Sequence, residues 1–178
     1  MDSLVARRGR AIGAMFFAIF GAAWLALWNY RAAPMRLAAY ASIVLLAVLL
    51  FLFARSRYLR YAAALPAPPD SPDQRKRERW FHIVNAGQWL LILVVGNVLV
   101  NIGHADWVLP AVVLIVGLHF LPLARLFEYR AHYVTAGALM LAALLLPRLS
   151  PLGPADPVVC LAAGLILWAS ALWGLLKA

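Results

Sequence analysis

Two sets of polar side chains in the third apolar stretch of the sequence are placed where they could contact a solute. Asn97, Asn101 and His104 fall within about 60° of one another on a helix that turns 100° per residue, so they form one stripe. Asn85 and Gln88 form a second pair on a different face, closer to the start of the stretch. Because amide groups in hydrocarbon must find hydrogen-bond partners, both sets should face other helices or a water-filled cavity. The amides therefore either join neighbouring helices or line a path for a solute.

His119 is the histidine that lies deepest within an apolar stretch, since His82, His104 and His132 lie near stretch ends. Pro122 follows three residues later. It has no backbone N–H, and its ring presses on the carbonyl four residues before it, which predicts a helix kink. The kink leaves a backbone acceptor beside the imidazole. His119 therefore either bonds this acceptor or an amide of helix 3, or it binds a ligand or carries a proton.

The sequence lacks the residue patterns of the common catalytic and metal sites. No carboxylate lies inside an apolar stretch, which excludes an intramembrane aspartyl protease and a carboxylate-bound metal. Nothing near the lone Cys160 activates a thiol, so we interpret it as a packing residue. Haem ligation by two histidines needs a pair at one depth, and His82 and His119 are offset in depth. We therefore expect no catalytic residue, no metal and no cofactor.

These side chains must be positioned by helices that cross a membrane. The chain has 178 residues, of which 65% are hydrophobic and 13% charged, with a mean hydropathy of +0.84. Soluble domains are about 45–50% apolar and about 25% charged, so a soluble enzyme and a disordered chain are excluded. The charged residues leave six uncharged stretches, close in length to the roughly 20 residues of a spanning helix. The sequence thus predicts an all-α fold, a single polytopic membrane bundle over residues 1–178. Its six transmembrane helices lie at about 11–30, 37–54, 83–104, 107–124, 131–147 and 157–176, with a cytoplasmic loop at about 55–80.

The distribution of basic residues predicts the orientation of the bundle. With six spans, both termini lie on one side of the membrane, together with the second and fourth loops. That side carries thirteen of the sixteen basic residues, and the other side carries Arg31, Arg36 and Arg148. Since basic residues concentrate in cytoplasmic loops, we expect a multi-pass protein of the bacterial inner (plasma) membrane with both termini in the cytoplasm. The formal net charge of +9 then follows from topology, and we expect no nucleic acid as a partner.

The long second loop is basic at both ends and rich in proline in the middle. Residues 66–73 include four prolines, and we expect them to be extended or disordered. Basic residues beside spans normally contact anionic headgroups, so we interpret the flanking ones as contacts to the lipid bilayer. They are Arg55, Arg57, Arg60, Arg75, Lys76, Arg77 and Arg79. The alternative is that this loop docks a cytoplasmic protein.

Small and aromatic residues indicate how the helices pack. Gly9, Gly13 and Gly21 of the first helix offer positions where a neighbouring helix can approach closely. Tryptophans near the stretch ends are typical of anchors at the membrane interface. They are Trp24, Trp28, Trp107, Trp168 and Trp173.

One segment carries a resemblance to known proteins. The sequence GLHFLPLA at 117–124, followed by YVTAG at 133–137, resembles a segment of small six-helix bacterial inner-membrane proteins whose activity is uncharacterised. The resemblance implies a six-helix membrane fold and draws attention to His119 and Pro122. It implies no particular activity.

An internal similarity suggests that the chain contains a repeat. LWNYRA at 27–32 closes helix 1, and LFEYRA at 126–131 follows helix 4. Because these two helices run in opposite directions across the membrane, a three-plus-three repeat would be inverted. Many transporters are built in this way, with their binding site near the midplane between the repeats.

From these observations we predict a membrane protein that binds or transports a small polar or amphipathic solute through a polar pocket between helices 3 and 4. Asn97, Asn101 and His104, which we call the outer stripe, form a vestibule. Asn85 and Gln88, the inner pair, lie below it with His119. The alternative is a non-transporting membrane partner or assembly factor that docks a protein through the basic 55–79 loop, and a membrane-embedded enzyme is the third hypothesis. The expected partners are anionic lipid headgroups, a small solute and other copies of the chain.

Overall fold

The computed structural model describes residues 4–32, 36–65 and 71–177, and within these ranges it contains helices and no strand. Six of these helices are long and apolar enough to cross a membrane. They are α1 (Leu4–Arg31), α2 (Leu37–Ala63), α3 (Pro72–Asn101), α4 (Val108–Leu126), α5 (Ala131–Leu149) and α6 (Val158–Leu176). Short 3₁₀ helices precede α4, at Ala105–Trp107, and α6, at Gly153–Ala155. The predicted all-α fold with six transmembrane helices is confirmed, and the orientation of the termini stays a prediction.

The helices extend beyond the uncharged stretches of the sequence. α2 ends at Ala63 and α3 begins at Pro72, so most of the predicted loop at 55–80 is helical. α5 likewise continues through Pro147 to Leu149. Charged residues mark where a chain leaves hydrocarbon, but Arg, Lys and Glu are good helix formers in water as well. The uncharged stretches therefore indicate the number of spans and not the ends of the helices.

The start of α3 has the side chains of a helix N-terminus. The Ser71 hydroxyl accepts a hydrogen bond from the backbone N–H of Gln74 at 3.2 Å. Pro72 occupies the first turn, where no N–H is needed, and the charge of Asp73 suits the helix dipole. The prediction of extended or disordered chain through this proline-rich segment is therefore wrong for Pro72 and Asp73. The rest of the proline-rich segment, 66–70, lies outside the described residues.

Contacts between Cα atoms divide the chain into two compact units. Unit 1 comprises Met1–Pro69 and Ala163–Ala178, and it contains α1, α2 and most of α6. Unit 2 comprises Asp70–Ala162 and contains α3, α4 and α5. Each unit has its own packing, and the candidate functional residues of α3 and α4 all belong to unit 2.

Unit 1 packs through small residues. α1 lies against α2, and a buried cluster joins residues of α1, α2 and α6. Its members are Ala11, Ala14, Ala18, Leu50, Ala54, Ala171 and Leu175. Because lipid is as apolar as these side chains, the helices gain mainly from van der Waals contact, which small residues improve by letting the backbones approach.

Two glycines mark a close approach of α1 and α6 within unit 1. A Cβ atom at Gly21 would lie 2.3 Å from Cδ1 of Trp168, and one at Gly164 would lie 2.5 Å from Cγ of Leu25. The Cβ at Gly164 would also lie 2.9 Å from the carbonyl oxygen of Gly21, which is a backbone atom and cannot rotate away. Both positions therefore require glycine.

These contacts correct two packing predictions. A Cβ at Gly9 or Gly13 would meet no atom of the described residues within 4 Å, so among the three predicted glycines of α1 it is Gly21 that permits a close approach. The prediction of an interface anchor is wrong for Trp168, because this residue lies in the middle of α6. Its Nε1–H donates to the carbonyl of Ala18 at 3.1 Å, and its ring lies over the space left by Gly21.

Asn29 is a buried amide that links the end of α1 to the start of α2. Its side chain is 2% exposed, and Nδ2 donates to the carbonyl oxygen of Arg36 at 3.1 Å. Side-chain hydrogen bonds in membrane proteins contribute about 0.6 kcal/mol on average and at most about 1.7 kcal/mol. Asn29→Leu should therefore lower the free energy of unfolding by about 1 kcal/mol, measured by unfolding of the purified protein in detergent.

Asn97→Leu is the matched control for this substitution. The Asn97 side chain is exposed, and its amide bonds a carbonyl of its own helix, so its loss should leave stability nearly unchanged. Equal destabilisation by the two substitutions would show that the link from Asn29 to Arg36 contributes nothing of its own.

In unit 2, α4 packs against both α3 and α5. Gly117 faces α5, where an added Cβ would lie 2.8 Å from Cγ of Met140 and 3.2 Å from the carbonyl oxygen of Ala136. α3 contains no buried residue, so its side chains remain at least partly exposed along the whole described helix. The α4–α5 pair is therefore the tightly packed part of this unit.

The turn between α4 and α5 is closed by a residue in the left-handed conformation. Glu128 has a φ of 50°, and the N–H of the following Tyr129 donates to the carbonyl of Ala124 at 3.0 Å. This hydrogen bond is the one that ends many helices, usually with glycine at the left-handed position. It reverses the chain within a few residues, so His132 at the start of α5 returns to the side of α4.

Candidate functional site

His119 lies in a group of rings that we call the histidine–aromatic cluster: His119, Phe120, Phe127, Tyr129 and His132. The ring centroid of Phe120 is 5.7 Å from that of His119 and 5.5 Å from that of His132. α4 supplies the first two rings, the α4–α5 turn the next two and α5 the last. Two imidazoles therefore flank one buried phenyl ring.

The contacts around His132 are mostly edge-to-face. The rings of Tyr129 and His132 are 5.0 Å apart, with 87° between their planes. Phe127 lies 6.4 Å from His132 and 5.9 Å from Phe81, which connects the cluster to α3. Aromatic pairs in such arrangements contribute about 0.5–1.5 kcal/mol beyond the burial of their area. These contacts fix the orientation of His132.

Of the two histidines in the cluster, His132 is the one that the sequence did not single out. It is the second residue of α5, so by sequence it is a residue near the end of a stretch. The left-handed turn at Glu128 brings it beside α4, and a left-handed glutamate is not expected from sequence. The signal that could have found it is the concentration of aromatic residues around the turn.

The imidazole of His119 is held by a hydrogen bond to the backbone of Val84 on α3. Nδ1 is buried and has no hydrogen-bond partner among the described residues, so Nε2 makes this bond. In a neutral ring whose Nε2–H donates, Nδ1 keeps a lone pair that can accept one further hydrogen bond. The partner of His119 is thus a backbone group of α3, and neither the carbonyl before Pro122 nor a side-chain amide.

The bond to Val84 places His119 at the depth of the inner polar pair. Asn85 is the next residue of α3, and its Nδ2 donates to the carbonyl of Phe81 at 3.0 Å. Gln88 follows Val84 by one helical turn, lies on the same face of α3 and is half-buried. The structure thus brings two of the predicted residues to the level of the imidazole.

The outer stripe lies far from His119. With a rise of 1.5 Å per residue, Asn97 is about 20 Å further along α3 than Val84. Asn97 and Asn101 are exposed, and each donates to the carbonyl four residues earlier at 2.8 Å. His104 is exposed and follows the end of α3. An amide that bonds its own helix needs no partner on another helix, so a role of this stripe in a pathway stays a prediction.

A groove of about 610 Å³ lies beside Pro122, and we call it the α3–α4 groove. It is lined by Trp80, Val84, Leu121, Pro122, Arg125, Leu126 and Tyr133. α4 continues through Pro122 to Leu126, and Pro122 itself is exposed. The lining contains none of the six polar residues that the sequence singled out, so this groove is distinct from the predicted polar path.

The predicted headgroup residues lie on helix ends and not on an irregular loop. Six of the seven are exposed, namely Arg55, Arg60, Arg75, Lys76, Arg77 and Arg79. Arg57 is half-buried, with its guanidinium 5.3 Å from the ring centroid of Phe53 and 3.5 Å from the hydroxyl of Tyr61. Exposed basic residues at the end of a span suit contacts to headgroups, and their binding of lipid stays a prediction.

No family model, no curated protein and no solved structure matches this chain. The resemblance of residues 117–137 to small bacterial inner-membrane proteins therefore stays a prediction. Within the described ranges, no group of three or more His, Cys, Asp or Glu side chains is placed to hold a metal ion. The assignment of the site thus depends on the geometry around His119.

Proposed function

We propose that this integral membrane protein binds a small polar or amphipathic solute between α3 and α4 of unit 2 and passes it across the membrane. Its six helices of membrane-spanning length and apolarity support the membrane location. The observation that carries the proposal is the geometry of His119. One ring nitrogen makes a hydrogen bond to the backbone of Val84, and the other is buried without a hydrogen-bond partner in the described structure.

The chemistry of this arrangement selects a class of solute. The lone pair of Nδ1 accepts a hydrogen bond, so the solute needs a hydroxyl, amide or amine donor. The neighbouring ring of Phe120 is buried against His119 and makes the surroundings of the imidazole apolar on that side. A buried acceptor without a partner costs free energy, and a donor group on the solute removes this cost on binding. A small polar or amphipathic molecule with at least one donor group fits both features.

Polar residues on α3 and just after it line the proposed path at the level of His119 and towards its outer end. Asn85 and Gln88 lie at the level of His119, where their amide groups can exchange hydrogen bonds with a passing solute. Asn97, Asn101 and His104 form the outer vestibule, which begins at Asn97, about 20 Å further along α3, and extends past the end of that helix. Polar side chains within spans mark substrate paths in many membrane proteins, which supports this assignment.

We further propose that the protein lies in the bacterial inner membrane, with both termini in the cytoplasm, and that it forms homo-oligomers. The excess of basic residues on the side of the termini supports the orientation. Exposed apolar side chains on every span, such as Leu45 of α2 and Leu93 of α3, suit contact with lipid or with a second copy.

The proposal predicts solute permeation that depends on His119. The purified full chain is reconstituted into vesicles, and permeation of glycerol, erythritol and urea is followed by stopped-flow light scattering. We expect the protein to raise the permeability to at least one of these probes above that of empty vesicles. His119→Phe keeps an aromatic ring but removes the Nδ1 acceptor together with the Nε2–H that donates to Val84, and it should reduce this increment at least three- to tenfold, the effect of one hydrogen bond.

His82→Phe is the matched control, because it makes the same change at an exposed position outside the histidine–aromatic cluster. It should leave the permeability as in the unmodified protein. The proposed path is wrong if no probe permeates faster than through empty vesicles, or if both substitutions reduce permeation equally.

A further inference from the structure

We propose that the α3–α4 groove holds one anionic phospholipid, with its phosphate on Arg125 and an acyl chain against Val84, Leu121 and Pro122. The groove lies wholly within unit 2, and its lining contains none of the six polar residues of the path; the two share only Val84, whose backbone binds His119 and whose side chain is apolar. This inference therefore does not depend on the proposed function.

The lining residues of the groove are sorted by depth. Trp80, Arg125 and Tyr133 carry its hydrogen-bonding groups, and they come from α3, α4 and α5 respectively. Trp80 lies one turn nearer the start of α3 than Val84, and Arg125 lies one turn nearer the end of α4 than Leu121. Tyr133 is in the first turn of α5. All three polar groups thus lie at the end of unit 2 that holds the α4–α5 turn. Leu126 is the apolar lining residue at that end, and Val84, Leu121 and Pro122 lie deeper.

Arg125 is available to bind an anion. Its side chain is exposed, and it makes no hydrogen bond or ion pair with any other described residue. A guanidinium offers five N–H donors in a planar fork that matches two phosphate oxygens at once. Trp80 and Tyr133 line the same end of the groove, and their side chains carry two further donors, an indole N–H and a hydroxyl. This set suits a phosphodiester better than a single carboxylate.

The deeper part of the groove is suited to an acyl chain. Val84, Leu121 and Pro122 offer apolar surface without a side-chain hydrogen-bonding group. The volume of about 610 Å³ lies within the range of about 300–1,000 Å³ that is typical of ligand pockets. A fully polar ligand would leave this surface without contact, whereas a lipid chain fills it. Polar groups at one end and apolar groups beyond are the arrangement that a phospholipid presents.

Charge at the same end of unit 2 favours an anionic headgroup over a zwitterionic one. The first turns of α3 carry the exposed basic residues Arg75, Lys76, Arg77 and Arg79. Arg130 lies in the α4–α5 turn and is exposed as well. Clusters of this kind beside a span attract anionic lipids. These basic residues therefore favour lipids with an anionic headgroup, and the groove determines where one lipid molecule is bound.

Titration of the delipidated full chain in detergent with phospholipid tests the proposal. Native mass spectrometry counts bound molecules of phosphatidylglycerol and of phosphatidylcholine with the same acyl chains. We expect one tight site that prefers phosphatidylglycerol by about tenfold, and Arg125→Gln should weaken this site by about tenfold. Arg79→Gln removes the same charge next to the groove but outside its lining, and it should change the affinity less than threefold.

A second pair of variants tests the acyl-chain part of the site. Leu121→Trp narrows the groove and should abolish the tight site, whereas Leu118→Trp adds the same side chain at an exposed position outside the lining. Equal losses with Arg125→Gln and Arg79→Gln, or with the two tryptophan variants, would overturn the proposal. Displacement of the lipid by millimolar inorganic phosphate would also overturn it, because the groove would then be a site for soluble anions.

Discussion

Replacing Gly164 by alanine should destabilise unit 1 by about 2 kcal/mol, within the roughly 1–3 kcal/mol typical of overpacked cores. The added methyl group would lie 2.9 Å from the carbonyl oxygen of Gly21 and 2.5 Å from Cγ of Leu25. Leu25 can change rotamer, but the carbonyl belongs to the backbone of α1. Relief of the clash therefore requires α1 and α6 to move apart, which loses contacts along both helices.

The change is measured as the unfolding temperature of the purified protein in detergent. For a chain of this length we expect a decrease of about 4–8 °C for 2 kcal/mol. Gly21→Ala should act in the same direction, because its methyl group would meet the ring of Trp168, which is held by its hydrogen bond to Ala18.

Gly13→Ala is the matched control on the same helix as Gly21. An added Cβ at Gly13 would meet no atom within 4 Å in the part of the chain that the structure describes, and alanine favours a helix over glycine by about 1 kcal/mol. Gly13→Ala should therefore leave stability unchanged or raise it. If Gly164→Ala and Gly13→Ala behave alike, the close approach of α1 and α6 is not a source of stability.

The contrast between these glycines shows what a single sequence can and cannot predict about packing. Gly13 and Gly21 lie on one helix and both lack a side chain, so composition treats them alike. They differ in what lies opposite, namely open space for Gly13 and the Trp168 ring for Gly21. Such a partner is separated from Gly21 by more than half of the chain, and no local pattern indicates it.

The number and type of the helices could be predicted, because both follow from local free energies. An uncharged stretch of about 20 residues has one low-energy state in lipid, a helix that satisfies its own backbone. Helix ends in water depend instead on capping. Ser71 and Pro72 start α3 well before its apolar stretch. A serine followed by a proline is a signal of a helix N-terminus that can be recognised in the sequence.

The candidate site likewise has some features that the sequence could predict and others that it could not. His119 could be singled out from its depth in an apolar stretch, and Pro122 from its effect on a helix. The hydrogen bond to Val84 and the return of His132 could not, because they depend on which helices are neighbours and on one left-handed residue at Glu128. The amides of Asn97 and Asn101 look like groups in need of partners, but carbonyls of their own helix satisfy them.

Phe120 is the residue whose loss should most disturb the histidine–aromatic cluster. Its side chain is 6% exposed and lies between His119 and His132. Phe120→Ala leaves a cavity that the two flanking imidazoles cannot fill without breaking other contacts, such as the bond from His119 to Val84. Phenylalanine-to-alanine changes in the cores of soluble proteins cost about 3–5 kcal/mol of stability. We expect about 3 kcal/mol here, because a phenyl ring gains less free energy by moving into the protein from lipid than from water.

Phe127→Ala separates the role of Phe120 from a general loss of aromatic contact. Phe127 belongs to the same cluster but is 50% exposed, so its removal opens the surface and creates no enclosed cavity. We expect Phe127→Ala to cost less than about 1 kcal/mol in the same unfolding experiment. Phe120→Ala should also reduce permeation of the probe solutes as strongly as His119→Phe, since the imidazole then loses the ring that fixes its orientation. A Phe120→Ala protein that keeps both its stability and its permeability would show that the cluster does not position His119.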